Sequence, residues 1–167
     1  MFKGEHDTVR EGLTAGFLGA IAIAIWFFVI DVTLGRPFYT PALLGGALLS
    51  VLGPAPRPDG ATMQVVVYTI FHFTVFGAIG ILAAYLVHRA QESPSILAGF
   101  LILFVSFEVG WYGWTALLSQ DEAWGQLAWW QVMGANVVAA LMMGTYLWRR
   151  HPQLRESLAY SLGGVER

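Results

Sequence analysis

Four stretches of this chain are apolar for roughly the 20 residues a helix needs to cross the hydrocarbon core of a bilayer, and polar or proline-rich segments separate them. The first runs from about Glu11 to Leu34, the second from Met63 to Val87, the third from Ile96 to Leu118 and the fourth from Leu127 to Trp148. This pattern predicts an all-α integral membrane protein, a four-transmembrane-helix bundle in a single domain over residues 1–167. The polar loop 88–94 is short, so the second and third spans are antiparallel neighbours. Lys3 and Arg10 before the first stretch imitate a signal peptide. Its length, the Trp26-Phe27-Phe28 run near its end and the lack of a small-x-small cleavage site predict a retained span.

Between the first two spans, the apolar segment Pro41 to Leu52 sits between Pro37 and Pro54. It predicts a helix of about three turns that opens on proline and is too short to span. It lies at the outer interface or re-enters the bundle. The interface is favoured because no polar group is at hand to receive buried backbone ends. Residues 149–167 form a cytoplasmic tail in which Leu154, Leu158 and Leu162 suggest a surface-lying turn or two, with disorder after Gly163 as the other reading. The two halves do not match residue by residue, so an inverted repeat is not supported.

Small residues mark helix-packing faces. Gly12, Gly16, Ala20 and Ala24 recur at spacing four, Gly77 and Gly80 lie in the second span, and Ala140 and Gly144 share a face with Asn136 in the fourth. Polar residues mark the same faces. The third span carries one carboxyl group, Glu108, and a buried acid must be protonated, paired or turned to a polar cavity. Counting about 1.5 Å per residue from the outer boundary sets His72, Glu108 and Asn136 on three helices at one level, ~13–15 Å deep. Tyr68 is one turn from His72, Tyr112 one turn from Glu108, and Asp31 stands about two turns above, pointing into the bundle. The expected network pairs Glu108 with His72, completed by Asn136 and a tyrosine hydroxyl. The competing expectation is that these groups only lock the helices together, at about 0.6 kcal/mol per interhelical hydrogen bond.

Composition narrows the choices. Charged residues are 12% of the chain, against roughly 25% in a soluble domain. The net charge of -2 excludes the basic excess a nucleic-acid binder needs. With no cysteine there is no disulfide, thiolate metal site or cysteine nucleophile. Lys3, Arg10, Arg89, Arg149, Arg150, Arg155 and Arg167 fall on one side and Arg36 and Arg57 on the other, which predicts cytoplasmic N- and C-termini. Trp124, Trp129 and Trp130 at the outer ends, with Trp148 and Tyr85 at the inner ends, read as belt residues.

Chemistry is the least specific part. A bis-histidine haem is disfavoured because His88 lies sixteen residues after His72, in the loop. A metal held by His72, Glu108 and Asp31 is disfavoured too, since no Glu-x-x-His pair is present. HExxH and GxSxG are absent, so the reading leans away from an enzyme. No cofactor and no metal are predicted. A quinone or pigment would suit His72 with Trp111, Trp114, Phe104 and Phe107 as a flat wall. The overall pattern resembles that of small bacterial four-span inner-membrane proteins. The leading expectation is a non-catalytic bacterial inner-membrane subunit or scaffold, packing against other membrane subunits or copies of itself, within an energy-transducing complex. The alternative is a proton-coupled or small-molecule protein that handles a quinone, lipid or pigment at the His72, Glu108 and Asn136 site.

Overall fold

The computed structural model describes residues 3–51, 60–90 and 129–152, with the isolated positions 96, 102, 105 and 106. The described residues form four helices and no strand: α1, Lys3–Thr33; α2, Tyr39–Val51; α3, Ala61–Ala90; and α4, Trp129–Arg150. Apart from those isolated positions, the expected third span lies outside the described residues, and with it Glu108 and Tyr112; the tail beyond 152 does so too.

Helix ends differ from the hydropathy boundaries for a simple reason. Apolar residues stop at the edge of a greasy zone, whereas a helix continues until its backbone is capped or broken. α1 thus begins at Lys3, well before the apolar stretch, and α3 runs to Ala90, which places His88 on its last turn and not in a loop. The other end of α1 is closed by a glycine cap. Gly35 adopts φ 72°, its N–H bonds the Val32 carbonyl at 3.0 Å, and the Arg36 N–H bonds the Asp31 carbonyl at 2.9 Å. These are the two hydrogen bonds of a Schellman motif.

Among the described residues α1 is the central element. Gly12 lies against Gly80 and Ile81, Gly16 against Phe76 and Gly77, and Ala20 against His72, so α3 runs antiparallel to α1. α4 does the same on another face: Gly19 meets Met143, and the Trp26 indole lies over Gly134 and donates to the Gln131 carbonyl at 3.0 Å. The interior is small. Ala15, Ala84, Met143 and Leu147 form one buried cluster, and Ile23, Phe27, Ala135 and Ala139 a second, with Phe76 packed against both. Large apolar residues face outward instead, among them Leu13, Phe17, Ile25, Ile70, Leu82 and Leu141. Two helical stretches, Asp7–Thr33 and Ala61–Ala90, are long and apolar enough to cross a membrane. α4, opened by two tryptophans and interrupted by Gln131 and Asn136, is not one of them.

The packing stripes hold in part. Gly12, Gly16 and Ala20 are buried, and so are Gly77 and Gly80. Ala24 is exposed, at the edge of a cavity that α1 and α3 both line. Ala140 and Gly144 are exposed as well. The row that α4 buries is Ala135, Ala139, Met143 and Leu147, one position earlier, since it is this row that fits beside Trp26 and Gly19 of α1. α2 lies on the first turns of α3, with Gly45 directly on the Gln64 backbone.

Candidate functional site

The Schellman turn decides the first half of the site. It brings the chain back so that α2 starts beside the last turns of α1. The side chain of Asp31 receives the start of α2: the Thr40 N–H donates to Oδ2 at 2.7 Å and the Thr40 hydroxyl to Oδ1 at 2.8 Å. Asp31 is 1% exposed and Thr40 2%. The free N–H groups and positive dipole end of a helix favour an acid there. Asp31 therefore points inward as expected, but its partner is the α2 N-terminus and not the mid-depth network. Immediately before this contact Phe38 adopts φ 66°, a left-handed conformation that a bulky residue rarely takes. Its ring meets Phe28 at 5.3 Å between centroids. The Arg36 guanidinium lies 3.8 Å over the centre of the Tyr39 ring.

His72 supplies the second half. It is buried between α1 and α3, with Nε2 3.1 Å from the Ala20 carbonyl and Nδ1 3.5 Å from the Tyr68 hydroxyl. A carbonyl can only accept, so Nε2 carries the proton and a neutral ring accepts from Tyr68 through Nδ1. The bond to Tyr68 is long, and its hydroxyl can turn to a better acceptor. Tyr68 also stacks on the imidazole at 5.4 Å.

Between the two halves lies a cavity of ≈ 140 Å³. Asp31, Thr40, Tyr68, Thr69 and His72 contribute its polar lining, and Phe27, Phe28, Phe38 and Phe73 make half of the rest. Ala24, Phe28, Phe38 and Thr69 form its exposed edge. Thr69 bonds the Val65 carbonyl of its own helix at 2.7 Å, which leaves Tyr68 as the donor best placed to meet a guest.

The expected site residues thus divide. Asp31, Tyr68 and His72 come together around one cavity. Asn136 is half-buried on α4, two residues after the Gly134 that lies against Trp26, whereas His72 bonds at Ala20; Trp26 and Ala20 stand about 9 Å apart along α1. The pairing of Glu108 with His72, and the tyrosine at 112, fall outside the described residues.

A second polar cluster, not foreseen, sits at the opposite end of α1. His151 Nε2 is 2.8 Å from Glu11 Oε1, His88 Nε2 is 3.9 Å from Glu11 Oε2, and the two imidazoles meet edge to face at 4.6 Å. Each residue stands at the edge of an apolar stretch, on the side where the basic residues gather. Their common level at the helix ends is the signal in the sequence that links the three. Comparison with models of protein families, with curated proteins and with solved structures finds no match to this chain.

Proposed function

We propose that this protein is a multi-pass membrane protein that binds a lipophilic small molecule, with a single carbonyl-bearing ring such as a quinone head held in the cavity between α1, α2 and α3. The observation that carries this reading is the lining of that cavity: a tyrosine hydroxyl with a weak partner, set among phenylalanine rings. Pockets that hold such ligands are mostly apolar, with a few placed polar groups. At ≈ 140 Å³ the space matches a single ring, since an engineered apolar cavity of about 150 Å³ takes benzene. The tail of the guest leaves past Ala24 and Phe28 towards lipid. Phe38 supports the same place, because strained backbone of this kind, costing about 1–3 kcal/mol, gathers at ligand clamps.

Membrane location rests on the inside-out distribution of side chains. From Gly12 to Ile30 and from Val65 to Val87 neither helix carries an Asp, Glu, Lys or Arg, and large apolar residues face outward along both. A soluble monomer rarely exposes so much contiguous apolar surface. The four-span reading draws support from direction. α3 and α4 both oppose α1 and so run parallel to each other, and the connection between them has to return from one end of the bundle to the other. The excess of basic residues on one side supports an orientation with both termini cytoplasmic.

The test is equilibrium binding of a short-tail benzoquinone to the detergent-solubilised chain. Saturable binding of one molecule per chain is expected. Ala24→Phe fills the cavity at its open edge and abolishes binding, while Tyr68→Phe removes one hydrogen bond and weakens binding about 5- to 10-fold. Binding unaltered by Ala24→Phe sinks the proposal. The packing-subunit reading is the second one, favoured by the exposed small face of α4 at Ala140 and Gly144. Gentle extraction with mass spectrometry checks it, and a stoichiometric membrane partner is its expected result.

A further inference from the structure

We propose that Glu11, His88 and His151 form a binding site for a divalent first-row transition metal ion, zinc being representative, at the end of the bundle remote from Asp31. The three residues come from α1, the last turn of α3 and the position just after α4. Their ligand atoms all lie within 4.8 Å of one another. Donors bound at about 2.0–2.2 Å around a tetrahedral ion stand roughly 3.3 Å apart, so small rotations of these side chains close the set.

Hydrogen bonding prepares the cluster for a cation. His88 Nδ1 lies 2.8 Å from the Ala84 carbonyl, which can only accept, so this nitrogen holds the ring proton. In the neutral ring the Nε2 lone pair then faces a Glu11 oxygen at 3.9 Å. Two acceptors set face to face suit a cation between them, either a proton or a metal ion. An imidazole held through its far nitrogen to a carbonyl is also how ligating histidines are oriented. Among the described residues, Arg89 lies over the Tyr85 ring at 5.4 Å and Arg150 over the Tyr146 ring at 5.6 Å.

Donor type decides the class of ion. Two imidazoles and a carboxylate suit zinc and its neighbours and offer too few oxygens for calcium or magnesium. Three protein ligands leave a position for water. The side chains of Glu11 and His151 are 13% and 9% exposed and that of His88 is 36% exposed, so an ion enters past His88. The bound ion ties the ends of three helices together.

The experiment is titration of the chelator-stripped, detergent-solubilised full chain with Co²⁺ alone, followed by its visible absorption and by calorimetry. One cobalt per chain is expected, with a ligand-field band and a raised melting temperature that chelator reverses. His88→Gln and His151→Gln each weaken binding by at least about 10- to 100-fold, a range already reached when only a supporting group is lost. Circular dichroism without metal checks that each variant is folded. If His151→Gln unfolds, His88→Gln decides the matter, since that ring is partly exposed and its contact to Glu11 is long. A folded wild-type chain that takes up no cobalt overturns the proposal in favour of a proton-bridged ion pair. Uptake unchanged by His88→Gln overturns it also.

Discussion

At the scale of single residues, Asp31 and His72 show how far a polar position can be read from sequence. Both were expected to be buried, and both are. Their partners were not legible. Thr40 meets Asp31 only because the chain turns through Gly35 and the left-handed Phe38, and nothing in a phenylalanine announces positive φ. His72 bonds a backbone carbonyl, a group that every residue carries and no sequence marks. The Asp31 contact can be weighed by mutation. Asp31→Ala leaves the Thr40 N–H without its acceptor in a buried place and is expected to cost about 1–3 kcal/mol. Thr40→Val keeps that N–H bond and loses only the hydroxyl, for about 0.5–1.5 kcal/mol. Unfolding in sodium dodecyl sulfate measures both, and a larger loss for Thr40→Val would contradict the capping role of Asp31.

Elements pack according to which rows of small residues face each other. On α1 the spacing of four reads correctly from Gly12 through Ala20, because α3 crosses this row closely enough that a methyl group at Gly16 would run into the Phe76 carbonyl. The row ends at Ala24, which is exposed on the edge of the cavity. On α4 the spacing marks Asn136, Ala140 and Gly144, and within the chain the adjacent row through Ala135, Ala139 and Met143 is the one buried. Spacing alone identifies a face but cannot choose between two faces one position apart. A paired substitution separates them. Gly16→Ala is expected to destabilise by about 1–3 kcal/mol through overpacking against backbone. Gly144→Ala, facing open space among the described residues, is expected to be neutral or to stabilise by up to about 1 kcal/mol. Equal effects at the two sites would mean that the α1–α3 approach is looser than described.

For the whole molecule, the arrangement turns on α1, with α3 and α4 antiparallel to it on separate faces. Two polar sites then lie at opposite ends of α1, the Asp31 and His72 cavity towards its end and the Glu11 cluster near its beginning. The proposed topology has a direct check, since the chain has no cysteine of its own. Single cysteines at Asp7 and Pro152 are expected to react with a membrane-impermeant maleimide only when the cytoplasmic face is open, and cysteines at Gly35 and Gly60 only from the outer face. Labelling of Asp7 and Gly35 positions from one side would exclude a first helix that crosses.

The sequence by itself determined the helical class, two long apolar helices, a short helix opening near Pro41 and the burial of Asp31 and His72. Each of these follows from local composition, periodicity or the cost of leaving a polar group in an apolar span. Tertiary structure decided what those groups meet. The cavity exists because residues of α1, α2 and α3 meet around one space, and the Glu11, His88 and His151 cluster exists because two helices both run antiparallel to α1 and end at its beginning. Both depend on contacts between residues far apart in the chain, fixed by how whole helices cross and terminate.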